Sequence, residues 1–321
     1  MNIKQKYFPY IASTIASIIY GLSFLFSKQA LNVASPFSLL SFRFLIAFIA
    51  MTLLISLKII KVDYKNKPMK NLFILALAEP VIYFIFESYG LKNSSSSFAG
   101  IMISLIPVIV TLLAIYFLKE KPSFIQLIFI LISVLGVAFI AFMNASDSGT
   151  TSIPGIIFLI ITVVSAAVFN ILSRKFSSTF TPVEITYFMI GLAAICFNGI
   201  SIIQHILNGT LTNYFEPIKN SDFIISIGYL SILSSIIAFF LSNYTLSKIE
   251  ASMSSVFANL CTIVSIAAGV IVLHEKFEQY HLIGSVMILL GVWGTNYFGI
   301  KNKKPSINNI KVKEIENSRV N

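Results

Sequence analysis

The chain has 321 residues, 56% of them hydrophobic and 11% charged, with 23 Lys and Arg against 13 Asp and Glu. An ordinary soluble domain is about one-quarter charged, so this composition excludes a soluble globular protein and points to a chain solvated by lipid. Its two cysteines, Cys196 and Cys261, lie inside apolar runs, which excludes a disulfide framework or a thiolate metal site.

A helix that crosses a bilayer needs about 20 mostly apolar residues. Ten such runs follow one another, over 8–31, 36–59, 70–91, 95–118, 124–143, 153–174, 182–207, 222–246, 252–273 and 281–299. Turn chemistry bounds several of them. Pro36 and Pro182 open the second and seventh, and Lys121-Pro122 separates the fourth from the fifth. Lys4 and Lys6 precede a first run that is too long for a secretory signal and lacks a small-residue cleavage site, so it is read as a retained span. Residues 144–152 (NASDSGTTS) read as an extracytoplasmic linker, and residues 301–321, polar and mixed in charge, as a disordered cytoplasmic tail. The expected fold class is an all-α membrane protein with ten transmembrane helices.

The chain also repeats itself. Residues 89–137 reappear without a gap at 244–292, which places Tyr89 on Tyr244, Leu91 on Leu246 and Ser97 on Ser252. The same offset of 155 carries Lys119-Glu120-Lys121 onto His274-Glu275-Lys276, and Gly136-Val137 onto Gly291-Val292. The first two spans align at an offset of 146, with Ser27-Lys28 over Ser173-Arg174 and Pro36-Phe37 over Pro182-Val183. The difference sits in a longer loop at 208–221. Matches concentrated in turn charges and small residues indicate duplication rather than chance likeness of apolar runs. Residues 1–143 are thus one five-helix repeat and 153–300 a second. Five is odd, so the second copy enters the membrane inverted, an arrangement that permits alternating access.

Short cytoplasmic loops retain Lys and Arg. With both termini cytoplasmic, 18 of the 23 basic residues fall inside, while Lys28, Lys92, Lys219 and Lys276 fall outside and Arg43 stays within a span. The positive net charge is then an orientation signal with some attraction to anionic lipid, and requires no nucleic acid. The expected location is a bacterial-type plasma membrane.

With the repeat unit in hand, the chain resembles the drug/metabolite transporter superfamily, specifically its ten-helix EamA-type members, over nearly its whole length. The features that carry the likeness are the duplicated five-helix unit, Pro107 within the fourth span, the turn Lys119-Glu120-Lys121 and the Gly136-Val137 and Gly291-Val292 closures. Thr262 stands where the second copy would repeat Pro107. The resemblance implies that helices one to four and six to nine surround a substrate cavity, with five and ten peripheral. It leaves amino acids, sugars, nucleosides, cations and drugs open as substrates.

Charge inside a span costs roughly 2.5–3.5 kcal/mol on insertion scales, so each case needs a reason. Arg43 in the second span and Glu87 in the third stand at similar depths, which makes an ion pair between them reasonable. Glu79 stands near mid-membrane beside Pro80, without a basic residue at its depth; Tyr83 and Glu87 share its helix face. Glu79 is either a neutral group bonded to a carbonyl that Pro80 frees, or a cavity carboxyl that trades a proton or a cationic substrate. Tyr20, Ser23, Ser104, Ser234 and Thr262 are candidate wall residues, although Ser and Thr also serve helix packing. Asn170, Asn243 and Asn259, near the inner face, are gate candidates. No metal-ligand cluster, nucleotide motif or cofactor motif is legible.

The function expected is secondary transport of a small metabolite, amino-acid-like or otherwise polar or amphipathic, by alternating access and in the direction of export. Protons are a candidate coupled species, and oligomeric state is left open. The alternatives are a membrane-embedded enzyme and a non-transporting membrane subunit. The charge distribution makes a direct prediction. In a background without Cys196 and Cys261, Ser148→Cys and Asn213→Cys should react with an impermeant thiol reagent in intact cells, whereas Asn66→Cys and Ser306→Cys should not. Reversed labelling would overturn the orientation.

Overall fold

The computed structural model describes residues 3–118, 123–146, 152–249, 251–255, 257–276 and 278–302. Among these residues every regular element is helical, and the helices coincide with the ten apolar runs. In chain order they are α1 (Ile3–Leu31), α2 (Pro36–Ser56), α3 (Met69–Lys92), α4 (Ser96–Ile103 and Ile106–Leu118) and α5 (Phe124–Ser146). The second half follows with α6 (Ile153–Phe176), α7 (Pro182–Leu207), α8 (Ser221–Lys248), α9 (Ala251–Ser255 and Ala258–Val272) and α10 (Gln279–Asn302). Seven of them are long and apolar enough to cross a membrane, and α5, α9 and α10 contribute shorter apolar stretches. The charged turn 119–121, most of the linker and residues 303–321 lie outside the described residues. Of the proposed linker, residues 144–146 belong to α5.

Several helix starts follow from sequence chemistry. The side chains of Ser35, Ser152 and Thr181 each accept a hydrogen bond from a backbone N–H two or three residues into the helix, with Pro in the first turn. Pro is tolerated there because its missing N–H would have had no partner in the helix. Thr181 and Glu184 complete a capping box. Interruptions have equally local causes. Glu79, forced out of the helical region by the ring of Pro80, has φ −139° and ψ 121° inside a π-helical stretch, Leu77–Ile82. In α4 the helix lapses at Ser104-Leu105, so Pro107 falls in the first turn of the second piece, where it breaks no hydrogen bond. α8 has its own π stretch, Tyr229–Ala238. At the offset of 155, Glu79 falls on Ser234, so the two π stretches overlap in the two copies.

We call the end of the bundle that holds Leu31 the upper end and the end that holds the start of α1 the lower end. At the upper end Lys28 Nζ, at the close of α1, donates to Leu91 O at the close of α3 (2.8 Å). At the lower end Arg174 Nη1, at the close of α6, donates to Leu246 O at the close of α8 (2.8 Å). A basic side chain at a helix C-terminus satisfies a carbonyl that has no helical partner. These are corresponding residues of the two copies, so one contact recurs at opposite ends, as an inverted duplication requires. The loops obey the same logic. At the lower end Glu184 accepts from Lys67 Nζ (2.6 Å) and Asp63 N (3.1 Å), tying the α2–α3 loop to α7. At the upper end Tyr214 OH of the α7–α8 loop donates to Ser41 Oγ of α2 (3.2 Å).

Helices α5 and α10 pack chiefly on each other and stand outside the central bundle. Their glycines permit the approach: a Cβ on Gly136 would lie 2.9 Å from Gly284 O, which is the small-residue packing expected where lipid supplies no hydrophobic drive. Gly136→Leu should therefore destabilise the detergent-solubilised protein by about 1–3 kcal/mol through overpacking. Gly199→Ala, where a Cβ meets nothing within 4 Å, should be neutral or raise the melting temperature slightly. A thermal-shift series in which the two variants fall equally would contradict this packing.

Candidate functional site

The three intramembrane charges converge. Arg43 is 1% exposed, Glu79 8% and Glu87 2%, and all three line one cavity of about 110 Å³ in the middle of the bundle. Its walls come from α1, α2, α3, α4, α6, α8 and α9; α7 contributes none and packs instead along α2. The cavity runs from Glu87 past Tyr83 and Glu79, and then down past Ser17, Asn170 and Ser242 toward the lower end.

Arg43 is held without a counter-ion in contact. Its Nε donates to Ser235 Oγ (2.8 Å) and its Nη2 to Ser234 Oγ (2.9 Å), both within the π stretch of α8. The guanidinium carbon stands 4.2 Å from the ring centre of Phe84 and 5.3 Å from that of Phe44, and a desolvated cation over an aromatic face gains about 2 kcal/mol. Nη1 is buried and has no protein partner. The expected Arg43–Glu87 ion pair is not formed: among the described residues, Lys67–Glu184 is the one pair within 4.0 Å. The reason is that two serines on α8 and an aromatic plate already fix the guanidinium. Glu87 faces the same cavity but not the same contact.

Glu79 makes no hydrogen bond to a backbone carbonyl among the described residues. Within the break, Ala78 O accepts from Tyr83 N and also from Ser165 Oγ of α6 (2.6 Å), so a neighbouring helix braces the interrupted turn. Among the described residues neither Glu79 nor Glu87 has a hydrogen-bonding partner, and both carboxyls belong to the cavity wall.

Of the other sequence candidates, Tyr20, Ser23, Tyr83, Ser234 and Asn170 line the cavity. Ser104 does not; it is fully buried and donates to Ile101 O (2.6 Å). Thr262 joins α9 to α4 by donating to Gly100 O (2.7 Å), also off the cavity. Asn243 is a knot between three helices, accepting from Ser173 Oγ (2.8 Å) and donating to Thr186 Oγ1 (3.0 Å). Asn259 is half-buried with an unpartnered Oδ1 and does not line the cavity. Ser13 and Ser17, not among the residues singled out from sequence, do line it. With Tyr20 they form an i, i+4, i+7 polar stripe on an apolar helix, a pattern the sequence displays.

The sequence model of the EamA-like transporter family matches the chain twice, at residues 8–142 and 153–297. The chain belongs to the EamA-like transporter family. It is therefore a multi-pass membrane transporter, and the family match repeats with the same division as the internal duplication. Among its relatives, the uncharacterized transporter YcxC of Bacillus subtilis (strain 168) is 40% identical over 95% of this chain and 98% of that one. An uncharacterized transporter of Archaeoglobus fulgidus is 29% identical over 88% and 97%. A solved crystal structure 17% identical superposes with a TM-score of 0.64 over 92% of this chain and 99% of that one, a likeness of fold.

The contacts of Arg43 predict a stability order for this transporter. A hydrogen bond from a charged donor contributes about 1.5–3 kcal/mol, so Ser235→Ala should lower the melting temperature measurably, whereas Glu87→Gln should leave it nearly unchanged. The opposite order would restore the Arg43–Glu87 pair.

Proposed function

We propose that this transporter is a secondary exporter of a small zwitterionic, amino-acid-like metabolite, moved by alternating access of the two inverted halves around the central cavity. The observation that carries the reading is spare binding capacity. Arg43 keeps an unbonded Nη1, and Glu79 and Glu87 are not bonded by the protein, although all three pay the desolvation of the membrane interior. A carboxylate on the solute would satisfy Arg43, and an ammonium would satisfy Glu79 and Glu87. Tyr20 and Tyr83 offer flat apolar walls between them. The cavity is of the same order as the ~150 Å³ cavities that accept a benzene ring, which favours a solute of a few heavy atoms. Its path toward the lower end, the side read as cytoplasmic from the Lys- and Arg-rich loops, supports loading from inside.

Glu79 is the candidate coupling group, since it sits in the π break of α3 with no basic residue bonded to it. Its counterpart in the second copy is Ser234, so the fold does not require an acid at that place. Counterflow in proteoliposomes across solute classes is the test. Zwitterionic amino acids should exchange, and their amides or N-acyl derivatives should not. Arg43→Gln should weaken half-saturation by about tenfold to a hundredfold, the loss of one charge-assisted hydrogen bond. Glu79→Gln should fold and still exchange solute, more weakly because Glu87 alone then faces the ammonium, but lose the response to an imposed pH gradient. Wild-type exchange of none of these solutes, or an unchanged pH response in a folded Glu79→Gln protein, would contradict the respective parts of the reading.

A further inference from the structure

At the upper end, α4 and α9 are fastened to one another by a device that the cavity does not use. Glu275, in the segment after α9, accepts from Ser96 N through Oε1 (2.7 Å). Its Oε2 accepts from both Ser97 N (2.9 Å) and Ser97 Oγ (2.6 Å). These are the opening amides of α4, where the helix dipole also favours a negative charge. The carboxylate is aimed there by its backbone, because Glu275 N donates to Gly269 O (3.1 Å) and folds the segment back over α9. A side chain at Gly269 would collide with Glu275 Oε2 and Ser97 Oγ, so the glycine clears the space for the contact. Lys28 holds the other side of the same turn, donating to Leu91 O (2.8 Å) and Ser94 O (2.5 Å).

Below this point the two helices stay zipped. Ser265 Oγ donates to Ser96 O (2.7 Å), Thr262 Oγ1 to Gly100 O (2.7 Å), and a Cβ on Gly100 would lie 2.5 Å from Ser265 Cβ. Toward the lower end Ile106 of α4 and Ser254 and Ala258 of α9 become cavity wall. The crossing is fastened by hydrogen bonds above and lines the cavity below.

We infer that Glu275 is the latch of the upper gate: its release from the amides of Ser96 and Ser97 is the step that lets α4 and α9 part above the cavity and present the site to the upper side. This rests on the alternating-access reading, and the experiment separates the two. Cys261 lines the cavity and, in a Cys196→Ser background, is a single thiol reporter. In sealed vesicles, an impermeant maleimide should alkylate wild-type Cys261 faster from the lower side than from the upper side. Glu275→Gln, which retains shape but loses charge, should raise the upper-side rate by about tenfold or more and slow the lower-side rate, because charge-assisted bonds are roughly twice as strong as neutral ones. Gly269→Ala, which keeps the carboxylate but displaces it, should do the same, and Glu275→Asp should do so less. Upper-side rates unchanged in folded Glu275→Gln and Gly269→Ala proteins would overturn the latch while leaving alternating access standing. Equal wild-type rates from both sides would overturn alternating access and the latch with it. Failure of both variants to fold would make Glu275 a helix cap and likewise overturn the proposal.

Discussion

An arginine that cannot lose its charge, placed where there is no water, is the constraint around which the bundle is arranged. Arg43 is 1% exposed, and guanidinium stays protonated at any physiological pH. The protein meets that demand from three directions: two serine hydroxyls of α8, the faces of Phe84 and Phe44, and two carboxyls across the cavity. Each supplier is positioned by something else. Ser234 and Ser235 stand in the π stretch of α8, and Phe84 follows the break at Glu79-Pro80 in α3. Phe44 packs in turn on Phe197 (5.4 Å between ring centres) and Phe239 (6.5 Å), which brings α7 and α8 into the same cluster.

The incompleteness of that solvation is what makes a structural demand a candidate site. Had Glu87 closed on Arg43, the pair would be self-satisfied and the cavity would have little to offer a polar solute. Instead the guanidinium spends two nitrogens on hydroxyls and keeps one. Wide helical turns of the π kind often mark functional positions, and here the two copies overlap in where they place them. The acid of the first copy and the serine of the second thus both line one cavity.

Much of the fold was legible because lipid makes sequence unusually literal. Apolar runs give the spans, and Ser35-Pro36 and Thr181-Pro182 give helix starts. The offset of 155 anticipated that Tyr89 and Tyr244 would stand near the ends of corresponding helices at opposite ends of the bundle. Depth along a helix was also readable, which is why Arg43, Glu79, Tyr83 and Glu87 do share a cavity. Azimuth and partner choice were not. Arg43 and Glu87 match in depth, yet which side chain the guanidinium meets depends on the turn of α8 presented to it. Ser104, Thr262 and Asn243 look from sequence like Ser234, being polar residues at span depth. Only packing assigns them to helix contacts, because any buried hydroxyl or amide bonds the nearest carbonyl or side chain available. The contact of Glu275 with Ser96 and Ser97 spans some 180 residues of sequence, and no local pattern announces it.

On the proposed mechanism, the cavity holding Arg43, Glu79 and Glu87 is the place where solute sits during transport. Cys261 forms part of its wall and is buried at 4% exposure, so it reports occupancy directly. The measurement is the rate at which a membrane-permeant maleimide alkylates Cys261 in Cys196→Ser protein, with and without a solute the protein carries in liposomes. Carried solutes should slow alkylation in a saturable way, with half-effect near their half-saturation for transport, and solutes not carried should leave it unchanged. Alkylation that proceeds at one rate regardless of a carried solute would place the transport path elsewhere.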